Sequence, residues 1–200
     1  KPAAEIVASG ECGEEGYDLT WSLDSKGTLT ISGTGEMDSW ALNSPWSEHS
    51  DKITKVIIEN GVTTIGEQAF ADCTALTSAT ISDSVTSIGD YAFYSCDSLT
   101  TITIPDSVTS IGDKAFQYCE NLTSINVDSE NKNYVSEDGV LFNKDKSMLI
   151  NYPSGKSVKE YAIPDSVTCI GACAFYFCES LTSITLSDSV TCIRDWAFAE

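Results

Sequence analysis

The sequence predicts a solenoid, a linear stack of short coils in which each coil is buried against its neighbours. Two observations carry this. An Ile-Gly-x-x-Ala-Phe core recurs with its isoleucine at Ile65, Ile88 and Ile111, in steps of 23, then at Ile170 after 59 and at Ile193 after another 23, and a period of this size is the signature of stacked repeats. Within one unit, Leu99, Ile102 and Ile104 have the spacing of a short strand. Ile102 and Ile104 then point to one side and Thr101 and Thr103 to the other.

The rest of the unit follows in order. Pro105-Asp106-Ser107 turns the chain. Val108 and Ile111 make a second extended contact, and Gly112 supplies a flexible bend. Asp113 caps a short helical turn in which Phe116 and Cys119 share a face. Leu122 begins the next strand. No such coil encloses its own apolar face, so equivalent strands align into a parallel sheet. Burying one Ile, Leu or Phe contributes about 1.5–3 kcal/mol before entropy is counted, which makes Phe116 a core anchor.

The pattern L-T-x-I-x-I-P-x-S-V-T-x-I-G-x-x-A-F-x-x-C stands at 99–119 and is echoed at 76–96 and 181–200. It resembles the BspA-like class of bacterial leucine-rich repeats over about residues 53–200. The resemblance implies an α/β leucine-rich-repeat solenoid: a right-handed curved array of 23-residue coils, with the parallel sheet on its concave face, short second strands and short helical turns. It also implies an extracellular or surface-attached location in host-associated bacteria and a role in adhesion or protein binding.

Residues 1–52 lack the repeat. Leu19, Trp21 and Leu23 alternate, as do Leu29 and Ile31, around Asp24-Ser25-Lys26-Gly27, a turn with glycine at the left-handed position. A solenoid needs its first coil covered, so this hairpin is assigned as an N-terminal cap. The loop at 33–50 leads into the first coil, and its Trp40 and Trp46 read as packing over the end of the core, with a ligand platform as the alternative. Residues 53–200 form the solenoid, continuous with the cap as one domain.

The first clear strand is Lys55-Val56-Ile57-Ile58, followed by coils at 76, 99 and 122. The next coil is enlarged, with 36 residues from Ile125 to its equivalent Tyr161. The enlargement at about 128–157 contains a polar, acidic surface loop at 128–138. After it, Gly139-Val140-Leu141-Phe142 and Met148-Leu149-Ile150-Asn151-Tyr152 flank Asn143-Lys144-Asp145-Lys146-Ser147, a second hairpin. The last coil departs twice, with Arg194 in the glycine slot and Trp196 ahead of Ala-Phe. Either the bend needs no positive φ or that coil is distorted. The chain stops inside a repeat, and residues 1–4 lead into no apolar signal region, which is expected either of a mature or excised segment or of an atypical last coil.

The 200 residues, 42% of them hydrophobic, suffice for one elongated array. Thirty acidic against 11 basic residues give a formal charge of -19, which repels nucleic-acid backbones and anionic lipid surfaces. No apolar run is long enough for direct membrane insertion. Cys73, Cys96, Cys119 and Cys178 fill one slot of the repeat, three residues after Phe, and read as a ladder of buried free thiols. Cys169 and Cys192 replace the Ser of T-S-I in neighbouring coils, close to disulfide range.

Little else carries chemistry. The single histidine, His49, lies in a Trp-rich leader without a nearby Cys or acidic constellation, and reads as a surface or packing residue. No P-loop, H-E-x-x-H or EF-hand loop is present. Cys169, Cys173, Cys178 and Cys192 lack the paired C-x2-C knuckles of zinc modules, and neither a metal nor a cofactor is expected. Asp83, Asp106, Asp165 and Asp188, and likewise Glu67, Asp90, Asp113 and Asp195, recur in every coil as turn and cap residues, whereas a catalytic pair would be unique. Asn121-Leu122-Thr123 fits a glycosylation sequon, but Leu122 is a core position.

What remains is surface. The residues facing away from the core on the first strands are Lys55 and Glu59, Ser78 and Thr80, Thr101 and Thr103, Ser124, Asn126 and Asp128, Glu160, and Ser183 and Thr185. On the concave face of a curved solenoid these form the usual binding surface. The helical-turn edge offers Tyr91, Tyr94, Tyr118, Tyr176, Phe177 and Trp196 to a sugar or a partner. The sequence therefore predicts a non-enzymatic binding module whose partner is a protein or glycan on host or neighbouring cells. The alternative is a rigid spacer displaying another domain.

Overall fold

A computed structural model describes residues 4–15, 18–40 and 43–199. Each coil has three sides. The first is the predicted strand: β4 (Lys55–Ile58), β6 (Ser78–Ile81), β8 (Thr101–Ile104) and β10 (Ser124–Val127). They run parallel, with Lys55 opposite Ser78 and Thr101 opposite Ser124. Alternation decides which residues enter the core: Val56, Ile58, Ile102, Ile104 and Ile125 are buried while the residues between them face out. The second side holds shorter strands, β5 (Val62–Ile65), β7 (Ser87–Ile88) and β9 (Ser110–Ile111), also parallel.

Threonine hydroxyls reinforce both sides. Thr77 Oγ1 donates to Thr54 O at 2.9 Å and Thr123 Oγ1 to Thr100 O at 3.0 Å, just ahead of the first strands. Thr86 and Thr109 donate to the carbonyls of Thr63 and Thr86, both at 3.1 Å, ahead of the second.

The third side is not the short helical turn that the sequence suggests. Among the described residues the only helix is the 3-10 segment Ser47–Lys52. Residues 66–73 are overlapping turns, in which the N–H groups of Ala69, Ala71 and Cys73 donate to the carbonyls three residues back at 3.2–3.3 Å. The intervening N–H groups of Gln68, Phe70 and Asp72 donate instead to Asp90, Ala92 and Tyr94 of the next coil, at 2.8–2.9 Å. An α-helix would keep every donor inside its own segment; here half of them bind the coils together.

That alternation places two residues per coil in the left-handed region. Gln68, Tyr91, Lys114, Cys173 and Trp196 precede the Ala-Phe pair and Asp72, Ser95, Tyr118 and Phe177 follow it, all with φ of 53–59°. The glycine of Ile-Gly is not left-handed. It is small because the coils touch there: a Cβ on Gly112 would sit 2.5 Å from Asp90 N and 2.7 Å from Gly89 C. The bend therefore needs no positive φ, and Arg194 takes the slot with its ladder bond intact, its N–H donating to Ile170 O at 3.0 Å.

Three antiparallel strands precede the first coil: β1 (Ile6–Glu11), β2 (Asp18–Asp24) and β3 (Thr28–Glu36). The sequence hairpin corresponds to β2 and β3, and β1 is an addition. Asp24 organises the turn, its Oδ1 accepting from the N–H groups of Lys26 and Thr28 at 2.8 and 2.9 Å. Strand β3 then pairs in parallel with β4 through Thr28–Ile31 and with β5 through Gly35 and Glu36, so one strand heads both sides. Trp46 is fully buried, donates its indole N–H to Ala69 O at 2.8 Å and stacks on Phe70 at 5.7 Å. The column continues through Phe93 and Phe116 at 5.3 and 5.8 Å.

The enlarged coil repeats this arrangement inside the stack. Strands β11 (Tyr134–Glu137), β12 (Val140–Asn143) and β13 (Met148–Asn151) form a second antiparallel meander. The expected surface loop at 128–138 is thus partly strand, and it also contains Asn131, which is fully buried. Asn131 donates to the carbonyls of Pro105 and Val108 at 2.7 and 3.0 Å, and its Oδ1 accepts from the N–H groups of Asn133 and Tyr134, both at 2.8 Å. It ties the insertion to the coil before it.

The meander buries both faces. Tyr134, Leu141 and Ile150 pack into the core that begins at the first meander. Val135, Val140, Phe142 and Leu149 pack into a second core with Ile163, Ile170 and Phe175. Successive strand residues point to opposite sides, so a single sheet separates the two. Beyond it β13 continues in parallel with β15 (Cys169–Ile170) and β17 (Cys192–Ile193), and β14 (Glu160–Ala162) pairs with β16 (Ser183–Thr185). Cys169 and Cys192 face each other across β15 and β17, with Cα atoms 4.4 Å apart, and are disulfide-bonded.

Candidate functional site

The outward-facing residues of the first side fall into two groups. Lys55, Ser78, Thr80, Thr101, Thr103, Ser124 and Asn126 share the run β4, β6, β8 and β10, with Glu59 and Asp128 just past its ends. Glu160, Ser183 and Thr185 lie on β14 and β16. The groups are separated because the insertion covers β10, whose Ile125 N–H donates to Gly139 O at 2.9 Å. The tight fit needs glycine there: Gly139 has φ of 80° and a Cβ would lie 2.9 Å from Ser124 Cα. All these side chains are exposed except Ser124, which is half-buried.

At the β8–β10 end the polar groups are linked. Ser124 Oγ donates to Asn126 Oδ1 at 2.8 Å, and Asn126 Nδ2 donates to Thr101 Oγ1 at 3.1 Å. This surface presents hydroxyls, an amide and carboxylates, with no nucleophile and base set against each other. It can recognise a partner by hydrogen bonds.

The turn edge brings the predicted aromatics together. Tyr91, Tyr94 and Tyr118 follow one another with ring centroids 5.6 and 5.1 Å apart. Tyr118 then meets Tyr176 across the insertion at 5.2 Å, the two hydroxyls 2.8 Å apart. That hydrogen bond, with desolvation, pushes the Tyr176 phenol up to about 12. Lys114 Nζ stands 5.4 Å from the Tyr91 ring centroid, and the Tyr91 contact raises its ammonium pKa. Trp196 projects from the last coil with 69% of its surface exposed.

The thiol slot is structural. Cys96 and Cys119 are buried and donate S–H to the carbonyls of Phe70 and Phe93 in the preceding coil, at 3.2 and 3.0 Å. Burial pushes the thiols of Cys73 and Cys178 up to about 12, far from the thiolate a nucleophile needs. His49 lies on the 3-10 helix beside the Asp24-to-Gly27 turn. Among the described residues no three His, Cys, Asp or Glu side chains are grouped to hold a metal ion. Nor is any helix among them long and apolar enough to cross a membrane.

Residues 47–154 and 151–200 match the BspA type leucine-rich repeat region, in six copies. The chain belongs to this family. No curated protein matches it. Among solved structures, a leucine-rich-repeat protein from Eubacterium ventriosum is 34% identical with a TM-score of 0.63, covering 96% of this chain; the chain spans 63% of that protein's length. The pneumococcal vaccine antigen PcpA superposes with a TM-score of 0.67 at 18% identity, over 99% of this chain and 68% of that one. A leucine-rich cell surface protein from Faecalibacterium prausnitzii gives 0.62 at 21% identity, over 96% and 73%. The last two share the solenoid fold with this chain.

Proposed function

We propose that the chain is a non-enzymatic binding module of a bacterial cell-surface protein, engaging a macromolecule on host or neighbouring cells through the outward face of β4, β6, β8 and β10. The observation that carries this reading is the register: Lys55 with Ser78 and Thr103 with Asn126 stand opposite one another, exposed, on two parallel strand pairs, β4 with β6 and β8 with β10, whose other face is core. Exposed hydroxyls and amides held by parallel strands form a preorganised hydrogen-bonding surface. The β1–β3 meander acts as the cap of the first coil, keeping the apolar end from pairing with other chains. Membership of the family and likeness to surface proteins support the location.

The test is binding of the 200-residue chain to immobilised extracellular-matrix proteins and to intact epithelial cells. Thr103→Lys and Asn126→Arg place long cations on this face and should weaken binding by about tenfold or more. Binding that both variants leave unchanged would contradict the reading.

A further inference from the structure

The insertion leaves a gap on the second side, where β5, β7 and β9 of the regular coils are paired without a break. Strand β9 ends the second side of the first stack and β13 begins that of the second, and among the described residues no ladder joins them. The hydroxyl of Tyr134 stands in for the missing strand, accepting from Ile111 N–H at 3.0 Å. Between β9 and β13 lies a cavity of about 370 Å³, open toward the turn edge. Lys114 and Gln117 line it and also line an adjoining hollow of about 300 Å³ walled by Tyr91, Tyr118, Tyr176 and Trp196. The two make one groove, polar and cationic at one end and aromatic at the other.

Its lining is unlike the rest of the surface. The chain carries 30 acidic residues against 11 basic ones, yet the gap draws in Lys114 and Arg194, the chain's single arginine, against one carboxylate, Asp113. Among the described residues neither cation is in an ion pair; the pairs present are Lys132 with Glu130 and Lys146 with Glu137. Asn133, Asn151 and Gln117 add amides. Asn143 also borders the gap but is committed to its own turn, bonded to Ser147 and Met148. The left-handed positions aim the aromatic end: Tyr91, Lys114 and Trp196 share the slot before Ala-Phe, with φ of 55–59°, and project along one edge.

Each component matches part of one ligand class. Flat aromatic faces stack on the C–H face of a sugar ring, amides pair with hydroxyls, and a guanidinium beside an ammonium holds a carboxylate. The combined size suits one or two sugar units. We propose that this groove binds an acidic oligosaccharide, with a ring against Tyr118, Tyr176 and Trp196 and a uronate- or sialate-type carboxylate between Lys114 and Arg194. The groove is separate from the outward face of β4 to β10, so either site can fail without the other.

The test uses the whole chain with a hyaluronan tetrasaccharide and sialyllactose as acidic probes. Chitotetraose and lactose are their uncharged counterparts, and hexaglutamate is an acidic peptide. Isothermal titration and saturation-transfer NMR report affinity and contact. The acidic sugars should bind at least about tenfold more tightly than the neutral ones. Arg194→Gln and Lys114→Gln should each remove most of that preference. Trp196→Ala should weaken all sugars, and Thr103→Lys should change none. Arg194 and Trp196 are exposed, and thermal melts of the variants confirm that folding is retained. Absence of saturable sugar binding, equal binding of hexaglutamate, or an Arg194→Gln chain with undiminished preference would overturn the proposal.

Discussion

The two meanders, β1–β3 and β11–β13, are built alike and buried differently. Each turns three antiparallel strands and passes its last strand into a parallel ladder, β3 with β4 and β5, β13 with β15. Each is followed by an aromatic residue that heads a stacked column: Trp46 on Phe70, and Tyr152 on Phe175 at 5.2 Å. In β2 and β3 the core residues alternate with outward ones, whereas β12 buries Val140, Leu141 and Phe142 in succession. A meander with coils on one side needs one apolar face; one set between two stacks needs two. The insertion therefore restarts the solenoid and partitions its core.

The largest effects are expected at β12. Phe142→Ala and Leu141→Ala remove fully buried side chains and should cost about 3–5 and 2–5 kcal/mol respectively in urea unfolding. A cost below about 1 kcal/mol for either would show that its side of the partition is not packed. Next comes the joint. Asn131→Ala strands two carbonyls and two N–H groups that have no such anchor in the first meander, and should cost on the order of 3 kcal/mol. An unchanged urea midpoint would mean that water replaces the amide.

The glycine slot gives a smaller contrast between the stacks. A Cβ at Gly112 meets backbone at 2.5 Å, but at Gly171 the nearest atom is Leu149 O at 2.9 Å. Gly112→Ala should cost about 1–3 kcal/mol and Gly171→Ala less, with the order read from thermal melts. Equal costs would show that the coil spacing adjusts. The thiols give a contrast that depends on pH. Cys73 and Cys178 are raised from 9.0 to about 12 by burial. A proton held more tightly in the folded state stabilises it below the unfolded pKa, and that stability is lost as pH rises toward the folded value. Urea midpoints should fall between pH 9 and 12, and less steeply in Cys73→Ala and Cys178→Ala.

How much of this was legible in the sequence depends on whether a signal was periodic. The strand residues, the Phe column and the Cys slot repeat every 23 residues, so Ile102, Phe116 and Cys119 were assigned to the core, where the structure places them. The run Val140-Leu141-Phe142 reads from sequence as one arm of a hairpin, and its burial on both faces is seen only in the fold. On the turn side the spacing of Asp113, Phe116 and Cys119 predicts a helix that the chain does not form. The left-handed residues that replace the helix, such as Gln68 and Lys114, belong to no residue type that advertises positive φ. Asn131 was hidden in a polar stretch where a buried amide looks like any loop residue.

Of the candidate site, the outward strand residues could be named because alternation dictates their side, while their division into two groups could not, since nothing local shows that Gly139 reaches Ile125. The groove between β9 and β13 left no trace in sequence: Lys114 and Arg194 are 80 residues apart and line one cavity because, among the described residues, no ladder joins β9 to β13.

The partition is tested most directly by residue-resolved hydrogen exchange on Leu141→Ala and Phe142→Ala, side by side with the parent chain. Leu141→Ala should lower protection in β4 to β10 and spare β13 to β17, and Phe142→Ala should do the reverse, because the two side chains enter different cores. Equal loss of protection across both stacks in both variants would mean that the molecule has one undivided core, and would contradict this view of the insertion.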